Sequence, residues 1–560
     1  MRRVLLLLAV VASMLGVPAA AQADTPYDVL VFSRTAGFRH DSIAAGTQAV
    51  RELGAANGFS VTATEDPAVF TAANLAGYEA AIFLNTTGDV LNAAQQTAFE
   101  NWVRAGGGFV GVHAAADTEY DWPFYGELVG AYFASHPAIQ PANVKVEDRA
   151  HAATAHLPQT WNRTDEWYDY RTNARSTAHV LATLDESSYS GGVMGADHPH
   201  AWCKPFQGGR SFYTGGGHTA SSYTESAFRT HLLGGIRYAA GQAKADCRPE
   251  TGYTPLYNGS TTGWSQAGPG AFTNADATLT STGGMGLYWY SAKQFTNYSL
   301  KLDWRLAGDD NTGVFLGFPP SSDPWSAVNN GYEVQIDATD AADRTTGAVY
   351  TFKSADLAAR DAALNPPGAW NTYELLVEGE RLRVYLNGVQ INDFTNTDPV
   401  RSLAGHIGIQ NHGDGDDASF RNIRIKELGG PSPVTSGPIT GLAGKCLDVS
   451  GGATADGTKI QLWTCNGSAA QKWTRQGSTL RAQGKCLDVA GGGTANGTKA
   501  QLWTCNGSGA QNWAPQANGS IRNPQSGRCL DVSQNSSADG QQIHIWDCHG
   551  GANQKWALPA

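Results

Sequence analysis

Four residues far apart in the chain, His40, His113, Glu166 and His218, are of the types that carry metal or proton chemistry. Imidazole nitrogens grouped with a carboxylate hold a divalent metal ion or work as general acid and base. A second set lies mid-chain. Within residues 331–337, Glu333, Gln335 and Asp337 fall two apart, so a strand places them on one face and Tyr332, Val334 and Ile336 on the other. Gln410 and His412 share a face in the same way. A polar row backed by apolar residues fits an open binding face. Glu333 and Asp337 would stand roughly 13 Å apart on one strand. Ordinary glycosidases place their two carboxyls about 5–10 Å apart, so these two are a poor pair by themselves.

A third set recurs three times near the C-terminus. Cys446-Leu447-Asp448-Val449, Gln461-Leu462-Trp463-Thr464-Cys465 and Gln471-Lys472-Trp473 form the first copy. The second runs from Cys486-Leu487-Asp488-Val489 through Gln501-Leu502-Trp503-Thr504-Cys505 to Gln511-Asn512-Trp513. The third runs from Cys529-Leu530-Asp531-Val532 through His544-Ile545-Trp546-Asp547-Cys548 to Gln554-Lys555-Trp556. The two cysteines are 19 residues apart in every copy, so each copy is expected to close its own disulfide. Units this short cannot bury their apolar face alone, so the three must share one core. The remaining cysteines, Cys203 and Cys247, are expected to pair with each other.

The elements that must position the first set read as alternating strands and helices over residues 27–240. Strands are expected at 27–33, 59–64, 80–85, 108–113 and 210–214, and helices at 41–57, 92–104 and 224–239. Apolar strands flanked by helices imply a parallel, doubly wound sheet. Ligands of such sheets sit beyond the carboxyl ends of the strands. The segment 34–40, Asn85, His113 and Gly215-Gly216-Gly217-His218 all fall at such ends. Residues 250–428 read as antiparallel strands, with Leu300, Leu302, Trp304 and Leu306 alternating with Lys301, Asp303 and Arg305. Asn387-Gly388 is a hairpin turn, and the whole suggests a β-sandwich.

At 560 residues the chain is too long for one core. Charged residues are only 16% against 66 glycines and 16 tryptophans, which favours compact β domains over helical bundles or disorder. The net charge of −11 with no basic stripe argues against nucleic acid and anionic membranes as partners. Arg2, Arg3, the apolar run 4–17 and Ala21-Gln22-Ala23 have the form of a cleaved export signal, so the mature chain is expected to be secreted and free of the membrane. The acidic residues Asp309, Asp310, Asp414, Asp416 and Asp417 match no calcium-loop spacing and read as solvated.

Three resemblances follow from these motifs. Thr35-Ala36-Gly37-Phe38-Arg39-His40-Asp41-Ser42, Gly111-Val112-His113-Ala114-Ala115, Asp165-Glu166-Trp167-Tyr168 and residues 209–218 make the first domain resemble the trehalose-utilisation (ThuA-like) family, related to class I glutamine amidotransferases with their flavodoxin-like layout. An amidotransferase elbow would carry a nucleophilic cysteine. His113 stands in Gly111-Val112-His113-Ala114 instead, so thioester chemistry is not supported. The middle domain resembles the 3-keto-disaccharide hydrolase family, with its concanavalin-like sandwich, through Leu256-Tyr257-Asn258-Gly259, residues 330–336, Trp370-Asn371-Thr372-Tyr373, Ile409-Gln410-Asn411-His412 and Phe420-Arg421-Asn422-Ile423. The triple repeat resembles the ricin B-type β-trefoil lectins.

The lectin resemblance implies that Trp473, Trp513 and Trp556 are core residues. It assigns sugar contacts to Asp448 and Trp463, to Asp488 and Trp503, and to a fuller third set of Asp531, Gln534, Trp546, His549, Asn553 and Gln554. Gly451 and Ala470 in the first lobe, and Gly491 and Ala510 in the second, stand where the third has Gln534 and Asn553, so the third lobe is expected to bind best. The keto-sugar resemblance implies elimination: a C3 ketone acidifies the C2 proton, and its removal expels the C1 substituent. That needs one base and donors for the enolate oxygen. Glu333 is the expected base, with Gln335, Gln410 and His412 as donors.

The resulting layout is multidomain: a leader at 1–23, a ThuA-like α/β domain at 24–247, a sandwich at 248–428, a linker at 429–437 and a β-trefoil at 438–560. The expected activity is cleavage of keto-glycosides by an extracellular enzyme tethered to an oligosaccharide or polysaccharide. Two alternatives stand beside it. One is a non-enzymatic, multivalent sugar binder. The other places catalysis at His113 and Glu166 of the first domain, with His40, His113 and His218 as ligands of a possible divalent metal.

Overall fold

The computed structural model describes residues 26–308, 310–428, 436–476, 479–506, 508–516 and 518–558. The expected leader (1–23), Asp309 and most of the expected linker (429–435) lie outside the described residues. The chain divides into two compact units, one ending at Leu428 and one beginning at Gly429. Among the described residues no helix is long and apolar enough to cross a membrane.

The first unit begins with a nine-stranded sheet. Five strands are parallel, in the order Phe59–Thr64, Tyr27–Phe32, Ala80–Leu84, Gly108–Val112 and Gly209–Thr214. Alternate residues of these strands feed two cores. Val29, Val31, Ile82 and Leu84 meet helices Ile43–Asn57 and Ser226–Ala239 on one face. Leu30, Phe32, Ala81 and Phe83 meet Ala93–Arg104 and Pro123–Val129 on the other. The helix Ala93–Arg104 starts where Asn92 accepts from the N–H groups of Ala94 and Gln95, while the Gln95 side chain accepts from Asn92 N–H.

The five strands expected from the sequence are parallel, but the sheet does not end with them. Four further strands, Pro199–Phe206, His179–Leu184, Gln140–Val146 and Thr160–Asp165, extend it in antiparallel fashion. Loops and 3-10 turns, with no α-helical crossover, join these strands, which permits antiparallel pairing. Cys203 on this extension is bonded to Cys247.

Residues 254–427 form two antiparallel sheets packed face to face. The five-stranded sheet runs Trp264–Ala267, Gly286–Tyr290, His406–Asn411, Thr312–Phe318 and Tyr332–Ile336. The larger sheet is built around Tyr298–Leu306 and Ala418–Glu427. Leu300, Leu302, Trp304 and Leu306 face the common core with Val314, Val334, Ile336 and Ile409. Lys301 and Asp303, on the outer face, are buried as well. The Lys301 ammonium lies 2.9 Å from Asp246 and 3.1 Å from Glu250. Arg424 pairs with Glu250, and Arg248 with Asp246 and Glu374.

The second unit is the trefoil. Ser436–Gly437, expected at the end of the linker, instead form a strand pairing with Trp473–Gln476. Leu447, Leu487 and Leu530 share one core with Trp473, Trp513 and Trp556. In each copy the buried indole N–H donates to the leucine carbonyl 26 residues earlier: Leu447, Leu487 and Leu530. Each copy closes its own disulfide: Cys446 to Cys465, Cys486 to Cys505, and Cys529 to Cys548. Replacing Cys486 and Cys505 together by alanine should remove about 3 kcal/mol of trefoil stability, the loop-closure value for this spacing. Urea unfolding of the full chain, read from its C-terminal transition, checks this, and an unmoved transition would contradict it.

Candidate functional site

Two polar clusters stand out in the first unit. One lies where the parallel strands of the first domain end. The strand Gly108–Val112 leads directly into a turn of 3-10 helix, His113–Asp117, and His113 takes a φ of +48°. Such strained backbone concentrates at functional sites. His113 Nδ1 donates to Gly215 O at 2.8 Å, and Tyr213 OH donates to His113 O. This fixes the tautomer and aims Nε2 at His218 Nδ1 (3.2 Å) and Glu166 Oε2 (3.3 Å). His218 Nδ1 is 3.0 Å from the same Oε2. His40 completes the group, its ring edge-on to both His113 and His218.

Strand-end loops supply all four residues. Asn85, with φ +50°, donates to Ser42 Oγ and Gly217 O, tying the first, third and last parallel strands together beneath the cluster. Burial, and then the charge of His113 and His218, lowers the His40 pKa to about 3. Burial opposes ionisation of Glu166, but the His113 and His218 imidazoles beside it outweigh burial and hold the carboxyl well below its usual range. For His218, burial is likewise outweighed, here by Glu166, and its pKa rises.

Three contributors were not legible from residue type. His136, delivered by the short strand Phe133–Ser135, places Nδ1 3.0 Å from Glu166 Oε1. Asp165 accepts from the N–H groups of Gly217 and His218 and pairs with Arg163, so it positions the His218 loop. Tyr168 lies over His113 at 4.0 Å between ring centroids. Asp165 and Tyr168 flank Glu166 in its motif; His136 carried no signal of its own.

The second cluster is on the five-stranded sheet. Register pairs Glu333 with Phe315 and Gln335 with Gly313, and the Val314–Ile409 pairing brings Gln410 beside Gly313. A Cβ at position 313 would fall 2.1 Å from Glu333 Oε1, so glycine there makes room for the carboxyl. Glu333 Oε1, Gln335 Oε1 and Gln410 Oε1 have no hydrogen-bond partner, nor does Trp289 Nε1. Burial alone pushes the Glu333 carboxyl up to about 8. The expected open face is corrected here: Glu333, Gln335 and Gln410 are 6%, 1% and 5% exposed. Ala267, Leu287, Trp289, Phe315, Phe318 and Ala327 form a small apolar cluster on that face, and Ala327 belongs to a short helix, Trp325–Asn330, that no periodicity announced.

His412 is a second correction. The strand stops at Asn411, so the two-residue alternation does not carry His412 onto the face of Gln410. Its side chain is 49% exposed and pairs with Asp416 at 2.9 Å.

In the trefoil, Trp463, Trp503 and Trp546 are 38%, 37% and 41% exposed beside buried Asp448, Asp488 and Asp531. Gln461 and Gln471 donate to Asp448, and Gln501 and Gln511 to Asp488. Around Asp531 the ring of His544 lies 2.9 Å from Oδ1, Asn553 and Gln554 donate to Oδ2, and His549 lies 3.4 Å away. Gln554 is fully buried and matches Gln471 and Gln511, so it orients the aspartate instead of reaching a ligand. Gln534 (φ +60°) and Asn535 (φ +50°) hold the left-handed positions that Gly451-Gly452 and Gly491-Gly492 fill in the other lobes. The third lobe accepts backbone strain to place a side chain there.

Three family models match successive parts of the chain: trehalose utilisation over residues 28–239, a 3-keto-alpha-glucoside-1,2-lyase-like domain over 252–426, and a ricin-type beta-trefoil lectin domain over 435–556. A ThuA-like protein from Bacteroides uniformis is similar at 24% identity, covering 40% of this chain and 94% of its own, with a TM-score of 0.35. A protein from Parabacteroides distasonis, named as a candidate glycosyl hydrolase, is similar at 21% identity over 32% of this chain and 100% of its own (TM-score 0.28). ThreeFoil, a designed three-fold symmetric protein, is similar at 28% identity over 22% of this chain and 99% of its own (TM-score 0.22). The chain thus carries, in order, a ThuA-type α/β domain, a 3-keto-glucoside lyase-like β-sandwich and a ricin-type β-trefoil.

Proposed function

We propose that this protein is an extracellular enzyme that cleaves 3-keto-glycosides by elimination in its sandwich domain, held at its substrate by the trefoil. The observation that carries the reading is Glu333: a buried carboxyl with no cationic partner, in one row with two amide oxygens that also lack partners. In the reaction, the Glu333 carboxylate takes the proton from C2 of the sugar. Electrons move toward the C3 oxygen as the enolate forms. The enolate then reforms the ketone, the C1–O bond breaks, and the C1 substituent leaves as an alcohol after protonation. A C1=C2 enone remains, and addition of water returns a free 3-keto sugar. The Gln335 and Gln410 side chains, whose amides also offer N–H donors, stand on the same face to stabilise the enolate oxygen. A group pushed up to about 8 still reaches the anionic state near neutral pH and is then a stronger base than an ordinary carboxylate. The test is release of sugar from a 3-keto-disaccharide and from its unoxidised parent. Selective cleavage of the keto sugar supports the reading, and equal inertness of both opposes it.

Four disulfides and the leader-like N-terminus support an oxidising, extracellular setting. The lectin model supports tethering, which raises local substrate concentration without new chemistry. The third lobe is the proposed main sugar site. Asp531→Asn should weaken glycan binding at least about tenfold by disturbing a charged hydrogen-bond acceptor, while Asp448→Asn leaves most of it. Glycan-array titration of both variants checks this, and the reverse order would contradict it.

The convergence of His113, Glu166 and His218 favours a second reading, in which the first domain carries turnover. Loss of cleavage in His113→Ala with full activity in Glu333→Gln would select it.

A further inference from the structure

The histidine cluster of the first domain has a property that the keto-glycoside reading does not use. His113 Nε2, His218 Nδ1 and Glu166 Oε2 form a triangle with edges of 3.2, 3.3 and 3.0 Å. A tetrahedral zinc-class ion with bonds of about 2.0–2.1 Å needs donor atoms about 3.3–3.4 Å apart. The proton count points the same way. His113 spends its Nδ1 proton on Gly215 O, so in the neutral ring Nε2 presents a bare lone pair. That lone pair faces a carboxylate oxygen and a second imidazole nitrogen. Together they make a three-donor face that a cation enters by displacing the proton His218 Nδ1 shares with Glu166.

His40 adds an independent observation. It is buried, its Nδ1 has no hydrogen-bond partner, and it offers a ring nitrogen within 4.8 Å of the other three donor atoms. The supporting contacts match those that orient metal-ligating side chains: a backbone carbonyl behind His113, and Asp165 holding the His218 loop. Of the other two groups of potential ligands among the described residues, one includes the bonded pair Cys203–Cys247, and in the other backbone N–H groups already bind Asp169 and Glu186.

We propose that His40, His113, His218 and Glu166 bind one divalent transition-metal ion of the zinc class. Three imidazoles with one carboxylate suit zinc, cobalt, nickel or iron and disfavour magnesium and calcium. A substrate oxygen would enter as a fifth donor beside the four protein ligands. Phe38 is 68% exposed and edge-on to His40, and His136 is half exposed against Glu166. An exposed aromatic face beside a Lewis acid suits a sugar that stacks a C–H face and offers a carbonyl or hydroxyl oxygen. This site is separate from Glu333 and does not depend on the reading given for it.

The experiment is titration of metal-stripped full chain with Zn²⁺ by calorimetry, and with Co²⁺ by visible absorption. One ion per chain is expected, with a thermal midpoint that rises with zinc concentration and the intense visible bands of low-coordinate cobalt. His113→Ala should abolish the stoichiometric step. Glu166→Gln should weaken it at least tenfold. His136→Ala should keep it. Adding a 3-keto-glucoside should shift the cobalt spectrum, and Phe38→Ala should raise the sugar concentration needed. Stoichiometry that is zero, or the same in wild type, His113→Ala and Glu166→Gln, overturns the metal site. A cobalt spectrum indifferent to the sugar overturns the ligand half.

Discussion

Glu333→Gln should lower the rate of keto-glycoside cleavage by about 10²–10⁴-fold, the usual contribution of a positioned general base. Sugar binding should change little, because glutamine keeps the shape and one acceptor. The same substitution should stabilise the fold in alkali. A carboxyl whose folded pKa is raised from 4.5 to about 8 contributes its stability in full below 4.5 and loses it as pH rises through 8. The wild type therefore falls behind Glu333→Gln across that window, by roughly 1.4 kcal/mol for each pH step of one crossed. Activity should move oppositely, rising toward pH 8 as the carboxylate forms. Denaturation midpoints and kcat/KM from pH 5 to 9 test both. Full activity in the variant, or stability curves that run parallel, would contradict the role given to this residue.

Lys301→Met should cost about 3–5 kcal/mol, the range for removing one partner of a buried ion pair. The ammonium is nearly inaccessible between Asp246 and Glu250. Burial opposes its charge, yet those two carboxylates outweigh burial and raise its pKa. Burial of Glu250 is outweighed in turn by Arg424 and Lys301, which bring it down to about 2. Arg248 and Arg424 remain in the variant, so the loss should lie at the lower end. A depressed carboxylate contributes stability above its unfolded value near 4.5 and loses it as pH falls through about 2. The gap between wild type and variant should therefore be wide at pH 7 and narrow near pH 2. Urea unfolding at both values decides, and an equal gap at both would contradict the ion-pair account.

Different kinds of residue were legible to different depths. Trefoil repetition made the three tryptophans and three cystines plain, because each copy checks the other two. The parallel strands showed as apolar runs, and His113 and His218 could be placed at their ends. Their meeting point could not, since residues 40 to 218 span most of the first domain and no local spacing encodes it. The antiparallel extension was missed because a strand such as Thr160–Asp165 fills its buried positions with Arg163 and Asp165 as well as Trp161, so no apolar alternation marks it. The alternation in residues 331–337 gave the face of Glu333 but not its burial, which comes from distant segments. Lys301 and Asp303 read like a solvated face because charged residues look the same there as at a buried polar seam.

Proton exchange at C2 tests the central claim most directly. The full chain would be incubated in D₂O with a 3-keto-glucoside and followed by proton NMR. The account predicts loss of the C2 proton signal together with release of the C1 substituent, both suppressed in Glu333→Gln and neither seen with the unoxidised glucoside. Release of the C1 substituent with the C2 proton retained in the sugar would contradict it.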